Sequence, residues 1–207
     1  MSEFELDFEW EDPQGARGPE LRATWARWVI RIQDVSITQV HDCRTNSVRE
    51  GIYLPLYPVA EWIALHWWHL LYEVEPSSGV RQGTYARRHG LRSTAEGFAL
   101  PDVTFVPIGA AVHVRWEDGD LPICGVRFLQ RGEHYFPLSL FRGQLEHLVE
   151  AVIARLASAR IMDTLLQKEW RSIQEADREE QEFCQVAAAL GLDPYDLDNG
   201  TGSTLAP

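Results

Sequence analysis

The sequence lacks the motifs by which most enzymes can be recognised. It contains no Gly-x-Ser-x-Gly turn, no phosphate-binding Walker loop, no Gly-x-Gly-x-x-Gly fingerprint and no His-Glu-x-x-His zinc helix. Paired acids are plentiful, but no pair has a neighbour in the sequence that would separate their two pKa values for acid–base catalysis. We therefore expect no catalytic residue and no cofactor, and we favour a binding protein over an enzyme.

Cysteine is scarce and long apolar runs are missing. Cys43, Cys124 and Cys184 are too few and too widely spaced for a disulfide framework or a structural zinc site. The first residues are acidic and lack the basic and apolar regions of a signal peptide. The longest apolar-rich stretch, 52–72, includes Glu61 and two histidines, which is typical of a buried helix and not of a membrane span. These features predict a cytoplasmic protein with no membrane partner.

Positive charge is scarce, because nineteen basic residues face thirty-one acids and leave a net charge of −12. Eighteen of the nineteen basic residues are arginine. The acids are concentrated at the two ends of the chain. Residues 1–12 carry six acids and no base, and residues 169–207 carry nine acids and two bases. Because an acidic chain is repelled by phosphate backbones, this distribution argues against nucleic acid as the partner of this chain alone.

What the sequence does contain is a clear alternation of strand patterns. In residues 3–10 the apolar side chains of Phe4, Leu6, Phe8 and Trp10 share one face and acids occupy the other, which predicts a half-exposed strand. Further strand patterns occur at 25–34, 35–40, 51–54, 103–107 and 112–116. Two more, at 123–129 and 134–137, are separated by a short polar turn and predict a hairpin.

Helical patterns occupy the centre and the last third of the sequence. Pro58 is well placed to start a helix through residue 75, in which Val59, Ile63, Trp67, Leu70 and Val74 form the core-facing stripe. Three more helices are predicted at 139–157 with Ser139 as N-cap, at 163–176 with Asp163 as N-cap, and at 179–190 before Gly191.

Runs of strands followed by runs of helices indicate an α+β fold. We expect a mostly antiparallel sheet packed by a central helix, followed by a C-terminal helical segment. The corresponding domain boundaries are 1–138 for the sheet domain with helix 58–75, 139–198 for the helical segment, and 199–207 for a flexible tail.

His66 and His69 form the first candidate site. The predicted helix brings both imidazoles to nearly one face and adds Glu73 four residues later, so the three side chains could hold a catalytic zinc ion. The spacing is one residue shorter than in a zinc-peptidase helix, and the glutamate that would act as general base is missing. Two histidines hydrogen-bonded at the margin of the core are the simpler interpretation, and a metal-dependent hydrolase is the alternative.

A basic cluster in the connection after the central helix is the second candidate. In a nearly neutral body it could bind an anion, an acidic partner or nucleic acid. Charged runs are also typical of solvated loops, so both interpretations stand. The cluster consists of Arg81, Arg87, Arg88, His89 and Arg92.

The third candidate is a face of the central helix opposite its core stripe. Trp67 and Trp68 are adjacent, so their side chains diverge by about 100° on a helix and both cannot enter one core. Outward-facing aromatic residues are frequent anchors of interfaces. We therefore predict a partner-binding face formed by Glu61, Trp68, Tyr72 and Glu75.

Three stretches in this order resemble the N-terminal region of bacterial proteins of the ImmA/IrrE family of metallo-endopeptidases. The similarity would cover about residues 20–198, and the stretches are 54–62 leading into Trp67-Trp68, 96–101, and 182–184 with 190–196. In that family the zinc-peptidase part lies beyond the matched region and carries His-Glu-x-x-His. This chain has no such motif, so no catalytic residue carries over.

The resemblance implies a bacterial protein tied to regulation by proteolysis, to stress response or to defence against mobile elements. Together with the missing catalytic motifs, it predicts a non-catalytic sensing or protein-interaction module. Its expected partner is another protein, such as a peptidase or effector subunit.

Overall fold

The computed structural model describes residues 3–13, 17–73, 90–91, 100–121, 125–162 and 164–191. Within these ranges the chain forms four helices and twelve strands, and the strands pair antiparallel. The predicted α+β class with a C-terminal helical segment is confirmed. No helix in the described ranges has the length and apolar character needed to cross a membrane.

The first sheet is built on the strand predicted at residues 3–10. It contains β1 (Phe4–Trp10), β2 (Trp25–Ile32), β3 (Val35–Ser36) and β6 (Ile52–Pro55), with β2 at the centre. Phe4 and Leu6 are buried as the alternation predicts. The outer edge of β1 is closed by a helix side chain, because the Leu6 amide donates a hydrogen bond of 2.9 Å to Gln144 Oε1.

The acids on the outer side of β1 are paired with arginine from β2. The Arg31 guanidinium lies 3.5 Å from Glu5, 3.4 Å from Asp7 and 3.1 Å from Glu50. Burial opposes the charge of Arg31, but the attraction and hydrogen bonds of Glu50 and Asp7 outweigh it and raise the pKa of the guanidinium. The acidic face predicted from the sequence is therefore partly neutralised across the strands.

Two further sheets complete the β structure. The second contains, in spatial order, β10 (Gly119–Leu121), β11 (Val126–Phe128), β4 (Gln39–Asp42) and β5 (Ser47–Glu50). The third contains β12 (Gly132–Pro137), β9 (Ala111–Glu117), β8 (Asp102–Ile108) and β7 (Gly90–Leu91).

The hairpin predicted between 123–129 and 134–137 is wrong. Strand β11 pairs with β10 and β4, whereas β12 pairs with β9 in a different sheet. Gly132 is suited to the pairing of β12 with β9. It lies opposite Trp116 in the register, and a Cβ at this position would come within 2.8 Å of the buried indole ring. The glycine lets β12 lie against β9 at this point.

The central helix, α2 (Tyr57–Tyr72), agrees with the prediction at its start. Val59, Ile63, Trp67 and Leu70 of the predicted stripe are all buried; Val74 lies outside the described residues. No N-cap side chain satisfies the first turn. Instead the Tyr57 amide donates a hydrogen bond of 3.2 Å to the hydroxyl of Thr24, which ends the short helix α1 (Pro19–Ala23).

Helix α3 (Leu138–Ser158) matches the helix predicted at 139–157, and its predicted stripe of Leu145, Leu148, Val152 and Leu156 is buried. The prediction of Ser139 as N-cap is wrong. The capping position is Pro137, which offers no side-chain hydrogen bond, and the Leu138 amide donates to the carbonyl of Ala110 at 2.9 Å.

The helices predicted at 163–176 and 179–190 form one continuous helix, α4 (Leu165–Ala189). The sequence between them contains neither glycine nor proline, so nothing interrupts the backbone hydrogen bonds. Gly191 follows the helix with φ of 71°, a left-handed conformation that glycine adopts easily and that agrees with its predicted role as the end of the helix. Asp163 lies outside the described residues.

The chain divides into two compact units, residues 1–166 and 167–207. Helix α3 therefore belongs with the sheets, although residue 139 was predicted to begin a separate helical segment. The physical reason is its packing, since α3 contacts α2, β1, β9 and β12. In the second unit the described part is the remainder of α4, and the tail predicted at 199–207 lies outside the described residues.

Four phenylalanines join the elements of the first unit. Phe4 on β1 stacks on Phe136 of β12 with ring centroids 4.5 Å apart, and it meets Phe141 of α3 at 5.6 Å. Phe105 on β8 contacts Phe141 at 4.9 Å and Phe4 at 6.2 Å. All four are at most 4% exposed. This aromatic cluster holds the first sheet, the third sheet and α3 together.

We predict that Phe4→Ala lowers the free energy of unfolding by about 3–5 kcal/mol, because the truncation leaves a cavity at the centre of the aromatic cluster. Phe8→Ala on the same strand is the matched control. Phe8 is only half-buried and contacts Trp10 and His147, so its loss should cost clearly less. Chemical denaturation of both variants measures the difference, and equal losses would contradict the central role of the cluster.

Candidate functional site

The side of α2 that faces away from the core exposes a row of apolar side chains. Leu65 is 71% exposed and Trp68 is 38% exposed, and Tyr72 continues the same row as a half-buried residue. Positions 65, 68 and 72 are three and four residues apart, so they lie one above another along the helix. Half-buried Glu61 precedes them by one turn. We call Glu61, Leu65, Trp68 and Tyr72 the α2 row.

The aromatic end of the α2 row is held in place by α3. The rings of Trp68 and Tyr72 stack with centroids 5.4 Å apart. Arg142 Nη2 donates a hydrogen bond of 2.8 Å to the Tyr72 hydroxyl, and its guanidinium lies 5.4 Å from the Tyr72 ring centroid and 5.8 Å from that of Trp67. The guanidinium thus restrains Tyr72, and the stacking extends this restraint to Trp68.

A second row on α2 contains the predicted histidine pair. His66 stacks on Trp62 with centroids 5.1 Å apart, and its Nδ1 lies 2.8 Å from the Trp62 carbonyl oxygen, so this nitrogen donates to the helix backbone. His69 Nδ1 lies 2.8 Å from Glu73 Oε2 in an i,i+4 pair. The two imidazole centroids are 6.1 Å apart. Each ring has its own partner within the helix.

In the part of the chain that the structure describes, the histidine pair and Glu73 do not form a group of metal ligands. Among the residues that the structure describes, no group of three or more histidine, cysteine, aspartate or glutamate side chains could hold a metal ion. Glu73, the proposed third ligand, is engaged by the Nδ1 atom of His69 instead. The hydrolase alternative based on His66, His69 and Glu73 stays a prediction, as does the structural interpretation of the pair.

The basic cluster predicted at Arg81, Arg87, Arg88, His89 and Arg92 lies outside the described residues, as does Glu75 of the predicted partner-binding face. The anion-binding hypothesis stays a prediction. Three of the four residues predicted for the partner-binding face, Glu61, Trp68 and Tyr72, are described and belong to one row.

The described surface also contains a cleft of about 300 Å³ beside β9 and β12. Its walls carry both signs of charge, with two arginines against three acids, so it favours neither an anion nor a cation. The cleft is lined by Arg115, Trp116, Glu117, Asp118, Arg131, Gly132 and Glu133.

Sequence reasoning missed two residues of the site. Leu65 could have been found, because it lies three residues before Trp68 and therefore shares its face on any helix. Arg142 could not, since the contact with Tyr72 joins residues seventy positions apart in the chain. Only the packing of α3 against α2 brings the two side chains together.

We predict that Arg142 and Tyr72 are energetically coupled by about 0.5–1.5 kcal/mol, the usual net value of one hydrogen bond. A double-mutant cycle of Arg142→Met and Tyr72→Phe, followed by chemical denaturation, measures this coupling because the Phe variant keeps the ring and removes the hydroxyl.

The matched control is a cycle of Arg142→Met with Tyr53→Phe. Tyr53 is an exposed tyrosine on β6 whose ring lies under the guanidinium of a different arginine, Arg49, at 5.0 Å. No coupling is expected in this cycle. A Tyr72 cycle that gave the same value as the Tyr53 cycle would contradict the role of Arg142 as a clamp.

Comparison with protein-family models, with curated proteins and with solved structures finds no match to this chain. The resemblance to the ImmA/IrrE family is thus neither supported nor contradicted and stays a prediction. The geometry of the α2 row and the chemistry of its side chains are therefore the basis for a functional assignment.

Proposed function

We propose that this chain is a protein-interaction module of a bacterial regulatory, stress-response or mobile-element defence system, and that the α2 row is its docking surface. The observation that carries the proposal is the exposure of Leu65 and Trp68 beside an aromatic residue that α3 holds in place. The bacterial and regulatory setting follows from the resemblance described above, and the docking surface follows from the contacts on α2.

Desolvation favours an interface at this row. A leucine and a tryptophan exposed one helical turn apart leave apolar surface in water, and its removal stabilises a complex by roughly 25 cal/mol for each Å² buried. Tryptophan, tyrosine and arginine are the residues that contribute most often to binding energy at interfaces. The α2 row contains the first two, and Arg142 supports them from α3.

Preorganisation favours it as well. Binding is opposed by the entropy lost when flexible side chains become ordered. Tyr72 is already restrained by a hydrogen bond and a cation–π contact, and Trp68 is stacked on it. A partner would therefore meet an aromatic surface that needs little further ordering.

The charges around the row indicate the chemistry of the partner. Glu61 lies at one end of the α2 row and Glu73 follows its other end. The chain as a whole carries a net charge of −12. We infer a protein partner that presents an apolar patch bordered by basic side chains, because such a border complements the acids and accelerates association.

We predict that Trp68→Ala weakens capture of the partner by at least about tenfold, the effect of losing one interface residue worth more than 1.4 kcal/mol. The tagged protein is used as bait in a lysate of its host, and the affinity for the purified companion is then measured by titration. Leu65→Ser should have the same direction of effect, and its high exposure means that folding is not at risk.

Ile108→Ser is the matched control, because Ile108 is a similarly exposed apolar residue, 49% accessible, on β8 of the third sheet. Its affinity should equal that of the unmodified chain. Equal losses in all three variants, or no loss in Trp68→Ala and Leu65→Ser, would contradict the docking surface. Capture that disappears after nuclease treatment would instead identify nucleic acid and overturn the proposal.

A further inference from the structure

The hairpin between β4 and β5 brings a thiol, an imidazole and an amide into contact. Cys43 is exposed and forms no disulfide. Its Sγ lies 3.8 Å from Nδ1 of His41, and Nε2 of the same imidazole lies 3.1 Å from Oδ1 of Asn46. None of these residues belongs to the α2 row, so the hairpin is a separate feature.

The order of these atoms determines what the imidazole can do. Because Asn46 presents its oxygen, Nε2 of His41 carries the hydrogen and donates it. Nδ1 then has a lone pair, and this lone pair faces the thiol of Cys43. A nucleophile, a base and a third group that orients the base form the arrangement by which thiols are activated in nucleophilic chemistry. Asn46 is the orienting group, and His41 is the base.

The turn keeps the three groups at these positions. Oδ1 of Asp42 accepts hydrogen bonds from the amides of Arg44 at 2.8 Å and Thr45 at 3.3 Å, and the Cys43 amide donates to the Gly125 carbonyl at 2.9 Å. Asn46 adopts a left-handed φ of 50°, a conformation that asparagine tolerates well.

The hydrogen bonds from the Arg44 and Thr45 amides lower the pKa of Asp42. A carboxylate whose pKa is lower in the folded chain stabilises the turn above its ordinary pKa and loses this contribution as the pH falls through the lower folded value. The turn should therefore keep this contribution at neutral pH.

One basic and one apolar residue lie beside His41 in the sheet. In the register, Arg127 of β11 lies opposite His41 on one side and the apolar Val48 of β5 lies opposite it on the other. Arg44 and Arg49 lie close enough to Asp42 for their charges to lower its pKa as well.

We propose that Cys43 is a reactive thiol, activated by His41 and supported by Asn46, and that it is reversibly oxidised by small hydroperoxides. An exposed thiol on a hairpin is accessible to a small oxidant without any movement of the chain. Reaction with a peroxide needs only a thiolate and a proton donor for the departing oxygen, and the pair of Cys43 and His41 provides both.

The proposed oxidation of Cys43 by a hydroperoxide conserves atoms and electrons. His41 takes the thiol proton, and the resulting thiolate attacks one oxygen of the hydroperoxide. The S–O bond forms as the O–O bond breaks, and the departing oxygen receives the proton from the imidazolium and leaves as water or an alcohol. Sulfur loses two electrons to the peroxide, which gives a sulfenic acid at Cys43. One external thiol condenses with it to a mixed disulfide and water, and a second external thiol then displaces the Cys43 thiol and forms a disulfide with the first.

The test measures the rate of thiol oxidation by hydrogen peroxide in the full chain with Cys124→Ser and Cys184→Ser, so that Cys43 is the remaining cysteine. Sulfenic acid is trapped with a dione reagent and quantified by mass spectrometry over a range of pH. His41→Ala should slow the reaction by about a hundredfold near neutral pH, the lower end of what a positioned base contributes. Asn46→Ala should slow the reaction less. His41→Gln is a second variant without the imidazole base, and it shows whether the rate falls in a chain that is still folded.

Cys184 provides the matched comparison within the same chain. It is half-buried on α4, and its Sγ donates to Oε1 of Glu180 at 3.8 Å, so a carboxylate stands where Cys43 has an imidazole. A chain that retains only Cys184 should react more slowly than one that retains only Cys43. The proposal is overturned if the two react at the same rate, or if folded His41→Ala and His41→Gln react as fast as the parent. The α2 row variants test an independent feature, so failure here leaves the docking surface unaffected.

Discussion

The cluster of four phenylalanines is the packing interaction on which the rest of the first unit depends. Phe4 and Phe136 bring an edge strand of the first sheet and an edge strand of the third sheet face to face. Phe141 adds α3 to the same contact. Because β1 is far in sequence from β12 and α3, and all three meet at one buried point, the position of α3 is set by apolar burial and not by local helix signals.

The position of α3 in turn determines the candidate docking surface. Phe141 is buried in the aromatic cluster, and the next residue, Arg142, reaches across to Tyr72 on α2. The packing of α3 brings this guanidinium to 2.8 Å from the Tyr72 hydroxyl. The order at the aromatic end of the α2 row is therefore a consequence of the core, and the exposed Leu65 and Trp68 extend a surface whose base is rigid.

The hairpin between β4 and β5 differs from the α2 row, because the residues of its proposed thiol site are close together in the sequence. His41 lies on β4 and Cys43 begins the turn that follows, and Asn46 returns to His41 through the same turn. The pairing of the hairpin with β11 fixes the register in which this happens. The molecule thus combines a docking surface that depends on long-range packing with a thiol site that depends mainly on a turn.

The sequence by itself determined the faces of the elements: the alternation around Phe4 and Leu6, the buried stripe of α2, and the end of α4 at Gly191. It also predicted an outward face with Trp68 and Tyr72, whose role in docking stays a prediction. Local patterns contain this information because strand and helix periods state which side of an element is apolar. Tertiary structure alone decided that β11 joins β4 while β12 joins β9, that α3 packs with the sheets, and that Arg142 meets Tyr72. These outcomes depend on which apolar faces fit one another. The pattern along one strand or helix does not specify which other element it will pair with or pack against.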